Sequence, residues 1–249
     1  MEMMGLLFLV GVAQRFVGTL AGSGGLISFP AMLLLGVPVH ATIAANKLST
    51  AVGSFSNFIT LVKERKVSFK QLYRIAPFAL AGGAAGGLIA SLLSDHVLKI
   101  IAVILLCFAF FLAFLKKPRV ETDDHGRLSK KMFASFFGTS LYNGAFGPGQ
   151  GTLQMHMLFY EGVPYLSAIG LNQINTFVSS AAAAVVFIVA GDMIRQVALP
   201  LTIGSIVGAQ IAIRVAHKLS KQHVQWILRI ITFLLIIQLA YQLILEKAS

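Results

Sequence analysis

The chain has 249 residues, 57% hydrophobic and only 12% charged, with a mean hydropathy of +0.82; a water-soluble fold would have to bury several 20-residue helices almost without polar faces, so a membrane protein is expected. Its 20 Lys and Arg against 9 Asp and Glu leave a net charge of +11, but the basic residues cluster in short connections between apolar segments, which is a topology signal and not a nucleic-acid footprint. The single cysteine, Cys107, lies in an apolar run and excludes an intramolecular disulfide.

In chain order, the first apolar stretch runs from Met3 to Val39 and holds one charge, Arg15. Glu2 precedes it and no Lys or Arg does, so it lacks the basic start of a secretory signal. "AGSGG" at 21–25 breaks it. Spanning helices are then predicted at 41–62, 75–93 and 98–115. "KKPRVETDDHGRLSKK", residues 116–131, is the one strongly hydrophilic stretch and reads as a linker. A second broken stretch, "FFGTSLYNGAFGPGQG" at 136–151, precedes further predicted helices at 166–190, 197–215 and 224–245.

The two halves repeat. "GVPVHATIAANKLST" from Gly36 and "GVPYLSAIGLNQINT" from Gly162 align at an offset of 162 − 36 = 126, keeping Pro38/Pro164, Asn46/Asn172 and Thr50/Thr176. Gly82 and Gly86 pair with Gly204 and Gly208, a spacing that suits close helix packing. Basic residues crowd the connection after the first Asn/Thr helix (Lys63, Arg65, Lys66, Lys70, Arg74), whereas in the second half they flank the later connection (Arg214, Lys218, Lys221). If basic loops face the cytoplasm, the halves are inserted in opposite senses, with 63–74, 116–131 and 214–223 inside and both termini outside. The expected architecture is therefore an all-α polytopic membrane protein of two inverted-topology repeats, 1–115 and 132–249. Each has a glycine-broken first segment followed by three transmembrane helices.

Irregular backbone inside a bilayer persists only where protein or a cavity satisfies its polar groups. A helix resuming after each break presents free N–H groups and the positive end of its dipole, so two converging N-termini suit an anion. Asn46, Ser49, Thr50, Gly53 and Asn57 fall on one helical face, as do Asn172, Asn175, Thr176 and Ser179; such stripes either line a path or bond helices together. Lys47, whose counterpart is Gln173, either meets an anion or snorkels toward His40, and Arg15 reaches a neighbouring carbonyl or a headgroup. The residues assigned to substrate are Gly22, Ser23, Gly24, Gly25, Asn46, Lys47 and Thr50, with Gly147, Gly149, Gln150, Gly151, Asn172, Gln173 and Thr176 in the second half.

The histidines at 40, 96, 125, 156, 217 and 223 form no metal spacing, His156 reads as packing before proton relay, and no cofactor is expected. Ser23 as a nucleophile has no base at hand, which argues against an enzyme. The alternatives to an exporting carrier are an anion channel or an uptake permease for another small oxyanion or carboxylate.

The segments "AGSGGLISFPAMLLLGVPVHATIAANKLSTAVGSF", "KVSFKQL", "GTSLYNGAFGPGQGTLQ" and "GLNQINTF" are similar to the TauE/SafE sulfite-exporter family of membrane permeases across nearly the whole chain. The resemblance implies a cytoplasmic-membrane transporter of small sulfur-containing anions such as sulfite or organosulfonates, often exported. The residues it carries over are Gly22, Gly24, Gly25, Pro30, Asn46 and Lys47, then Gly147, Gly149, Gly151 and Asn172. Many relatives have a lysine where this chain has Gln173, which leaves a less positive site here.

Overall fold

A computed structural model describes residues 2–22, 24–94 and 130–216, with isolated positions at 97, 100, 104, 218, 226, 233 and 237. Eight helices are described: α1 (Glu2–Ala21), α2 (Gly25–Leu34), α3 (Val39–Lys63), α4 (Phe69–Leu92), α5 (Lys130–Ala145), α6 (Gln150–Tyr160), α7 (Tyr165–Val189) and α8 (Arg195–Ala216). No strand occurs among the described residues. The predicted helices at 98–115 and 224–245 lie outside the described residues, as does most of the 116–131 linker, whose last two residues already belong to α5.

Local chemistry sets the boundaries. Pro38 and Pro164 occupy the N-cap positions of α3 and α7 in extended conformation (ψ 151° and 150°), so both helices start one residue later and both run for 25 residues. Each begins and ends 126 positions after its counterpart (165 − 39 and 189 − 63). The start of α4 is fixed by a capping box: Ser68 Oγ accepts from the Gln71 amide at 3.4 Å, and Gln71 Oε1 accepts from the Ser68 amide at 2.8 Å.

The packing is exchanged between the halves. α1 lies on α8 and α5 lies on α4, while α3 packs on α8, α7 packs on α4, and α3 and α7 meet at the centre. Gly82 and Gly86 let α4 approach the backbone of Phe137 and Leu141 in α5; Gly204 and Gly208 do the same for α8 against Phe8 and Val12 of α1. The small-residue spacing is thus a packing device in both halves. α3 and α7 run antiparallel: His40 at the start of α3 lies 3.7 Å from Asp192 beyond the end of α7, and Val67 beyond the end of α3 packs on Gly170 near the start of α7.

Polarity is distributed as in a bilayer and not as in water. Leu80, Leu88, Ile203 and Val189 are between 54% and 83% exposed, whereas Ser140, Gln154 and Asn175 are fully buried at 0%. Four helices, α1, α4, α7 and α8, are long and apolar enough to cross a membrane, and α2 is a shorter apolar helix.

Candidate substrate site

Each half interrupts a helix with a short glycine-rich break. After α1 ends at Ala21, Gly22 takes a left-handed conformation (φ +72°) and the chain resumes as the ten-residue α2. After α5, Gly147 (φ +101°) and Gly149 (φ +83°) do the same around Pro148 before the eleven-residue α6. The two breaks press on one another. A Cβ on Gly22 would strike the Gly151 carbonyl and the Thr152 nitrogen, and one on Gly151 would strike Gly22; a Cβ on Gly25 would lie 3.3 Å from Pro148. Only glycine permits this backbone contact, which answers why so apolar a segment is cut by so many small residues.

Carbonyls exposed where the helices stop are satisfied across the halves. Thr152 of α6 donates to Ala21 O at 3.1 Å, and Tyr165 donates to Leu20 O at 3.1 Å. In the other direction, Lys47 of α3, fully buried, donates to Asn143 O and to Phe146 O (3.1 Å), with Asn143 Oδ1 at 3.5 Å. Its ammonium therefore does not snorkel to the surface; it covers the negative end of α5. Arg15, 4% exposed, donates through Nη2 to Gln173 Oε1, so the position that replaces lysine in the second half accepts from a cation brought by α1. Among the described residues neither cation meets a carboxylate.

Between the breaks lies a cavity of about 30 Å³ lined by Gln14, Arg15, Gly18, Gly22, Gly24, Gly25, Asn46, Thr50, Asn143, Gly147, Gln150, Asn172 and Thr176. Nine of the residues read from the sequence are among these. Lys47, Gly149, Gly151 and Gln173 stand behind the wall, and Ser23 lies outside the described residues. The polar stripes divide: Asn46, Thr50, Asn172 and Thr176 face the cavity, whereas Asn57 bonds Thr19 at 2.6 Å, Asn175 bonds Thr139 at 3.1 Å and Ser140 bonds Asn175 at 2.8 Å, tying helices together. Asn46 does both, since it also donates to Gln14 Oε1 of α1 and Ser28 Oγ of α2.

Gln14, Arg15, Gly18 and Asn143 were missed as site residues. Gln14, Gly18 and Gly22 recur every four residues up to the break, a helical face that could have been followed back from the glycines. Asn46 donates to Gln14 Oε1 at 2.9 Å, Gln14 donates to Ser49 at 2.8 Å, and Asn143 donates to Ser179 and Ser180 at 2.7 and 2.9 Å. Three buried nitrogen donors have no partner: Arg15 Nε, Gln150 Nε2 and Gln173 Nε2. At the cavity the unspent capacity is therefore donor capacity.

Apolar clusters lie along α3 on either side of Asn46 and Thr50. Toward its start, Phe29 and Phe146 meet edge-on with centroids 4.7 Å apart beside Val39 and Ile43; toward its end, Leu20, Phe58, Leu61 and Met155 pack together. A helical bundle with an apolar exterior and a partly polar interior cavity where two broken helices meet fits the class of membrane transporters. Residues 7–239 match the family described as Sulfite exporter TauE/SafE, and the chain belongs to that family. It is 31% identical over 242 residues to the probable membrane transporter protein ORF9 of Sinorhizobium sp, covering 96% of this chain and 92% of that one. It is 27% identical to a probable membrane transporter protein of Haemophilus influenzae (96% and 95% covered) and 24% identical to the probable membrane transporter protein YfcA of Escherichia coli K12 (96% and 90% covered).

Proposed function

We propose that this protein is a secondary transporter of a small sulfur-containing anion, of the sulfite or organosulfonate class, working as an exporter across the cytoplasmic membrane by alternating access between two oppositely inserted repeats. The observation that carries the reading is the cavity where two helix N-termini meet, with a buried guanidinium and unspent N–H donors in and around it and no carboxylate among its lining residues. The family description names sulfite export, which supports the substrate class and direction. The substrate-contacting residues of this reading are the glycines at both breaks with Asn46, Thr50, Gln150, Asn172 and Thr176.

At about 30 Å³ the cavity has room for about two waters, since one needs roughly 10–15 Å³, so an oxyanion of four heavy atoms needs it to widen, as alternating access of the two halves would allow. The Phe29–Phe146 contact and the Leu20–Phe58–Met155 cluster are then the seals that open in turn.

Flux into proteoliposomes of sulfite, thiosulfate, sulfate, taurine, methanesulfonate and acetate tests this. The expected result is saturable movement of a sulfur oxyanion or sulfonate, accelerated by the same anion on the far side. Ohmic single-channel currents would overturn the carrier mechanism, and flux confined to acetate would overturn the substrate class.

A further inference from the structure

We propose that Arg15 is the cation that touches the transported anion in this protein, and that Gln173 positions it; the proposal rests on the anion-transport reading above.

Two buried cations stand near the cavity, and only one has hydrogens to spare. The three N–H donors of the Lys47 ammonium face three acceptors at the end of α5, namely Asn143 O, Phe146 O and Asn143 Oδ1, and Lys47 is not among the residues lining the cavity. Arg15 lines the cavity, is 4% exposed, and spends Nη2 on Gln173 Oε1 while Nε has no partner. A guanidinium offers five N–H donors in a plane that matches two oxygens of an oxyanion at once. Gln150, at the first position of α6, lines the cavity from the other half and has its Nε2 free as well, while its Oε1 accepts from Thr176 at 3.2 Å. Unpartnered donors from two separate elements thus border one small space.

The packing around Arg15 is built to hold it there. A Cβ on Gly53 of α3 would come 2.3 Å from Ser205 Oγ of α8 and 2.7 Å from Arg15 Cδ, so a glycine at 53 makes room for both side chains. The equivalent position in the second repeat, 126 residues on, is Ser179, where no arginine has to pass. The repeats therefore place one buried cation at each crossing. The first half carries it on α3 as Lys47; the second has Gln173 at that place and receives Arg15 from α1. α1 thus brings to the second repeat the charge that α7 lacks at Gln173.

Calorimetry on the purified full chain, with sodium sulfite and sodium methanesulfonate as probes, decides the matter. Arg15→Gln should weaken binding by about ten- to a hundredfold, the loss of a charge-assisted pair of hydrogen bonds. Arg15→Gln combined with Gln173→Lys, which returns a cation to the same place from α7, should recover affinity to within about threefold. Lys70→Gln removes the same charge from an exposed site and should bind as wild type. Gly53→Ala in a Ser205→Ala background, where the hydroxyl that would take the first clash is gone, crowds Arg15 without altering it and should fall between. Wild-type affinity in Arg15→Gln overturns the proposal and leaves the anion site standing. Loss in both Arg15→Gln and the double variant assigns Arg15 a structural role and also overturns it. If Arg15→Gln does not fold, an affinity in Gly53→Ala/Ser205→Ala equal to that of Ser205→Ala alone overturns it instead. If wild type itself binds neither probe, nor sulfate or thiosulfate, the anion-transport reading fails first.

Discussion

Gly22 carries two constraints at once, because its φ of +72° disfavours any side chain and the space where a Cβ would sit is filled by the backbone of Gly151 and Thr152. Left-handed strain in a non-glycine residue costs about 1–2 kcal/mol, and overpacking adds about 1–3 kcal/mol. Gly22→Ala should therefore lower stability by about 2–5 kcal/mol, seen as a fall in the thermal unfolding midpoint of the purified protein. Gly138, a helical glycine of α5 with nothing within 4 Å of its would-be Cβ, is the control: Gly138→Ala should leave the midpoint level or raise it by the equivalent of about 0.5–1 kcal/mol. Equal falls in both variants would reject the close contact between the breaks. Lys47 shows why single residues were the hardest part of the site to read. Sequence spacing placed it beside the anion or at the surface, but its partners are main-chain carbonyls at the end of a helix nearly a hundred residues away, and a carbonyl leaves no mark in the sequence. Arg15 was visible as the lone charge of an apolar run, yet nothing local pointed to Gln173 as its acceptor.

Helices α3 and α7 end alike in form and differ in one residue. At the end of α7, Gly191 (φ +85°) takes the left-handed position; its amide bonds Ile188 O and the next amide, of Asp192, bonds Phe187 O. At the end of α3 the same two bonds run from Arg65 to Val62 O and from Lys66 to Leu61 O, but the left-handed residue is Arg65 (φ +56°), the only non-glycine with positive φ among the described residues. Arg65→Gly should relieve about 1–2 kcal/mol of strain against about 0.5–1 kcal/mol of added freedom in the unfolded chain. A small rise in the unfolding midpoint is expected, and a clear fall would show that the Arg65 side chain itself holds the connection. Element boundaries were the legible part of this fold, and for identifiable reasons. Pro38 and Pro164 fix two helix starts, the glycine runs fix both breaks, and continuous apolar windows predicted 75–93 and 197–215 close to α4 and α8. The faces within elements were less legible. A stripe of Asn, Ser and Thr has one periodicity whether its members line a cavity, as Asn46 does, or join helices, as Asn57 does; only the neighbouring helices decide.

For the whole molecule, the consequential relation is the antiparallel pairing of α3 and α7. At 1.5 Å per residue, 25 residues span about 37 Å, more than the ~30 Å hydrocarbon core, so the ends of these two helices emerge on opposite sides if both cross the bilayer. Glu64 and Ala190 are the C-caps of α3 and α7 and stand 190 − 64 = 126 apart, the repeat offset itself. Sequence-equivalent positions should therefore face opposite compartments, which is the physical content of opposed insertion. The charge pattern predicts the sense: Lys63, Arg65, Lys66, Lys70 and Arg74 are all exposed around the α3–α4 connection, whereas the α7–α8 connection carries Asp192 beside Arg195. With Cys107 replaced by serine, single cysteines at the two caps, Glu64→Cys and Ala190→Cys, give a direct measurement with a membrane-impermeant maleimide on intact cells. Ala190→Cys should label from outside and Glu64→Cys only after the membrane is opened, leaving Ser68 and its capping box untouched. Labelling of both from one side would reject opposed insertion of the two repeats. The reverse pattern would keep the opposed insertion but turn the protein over, so that both termini, expected outside, would lie in the cytoplasm.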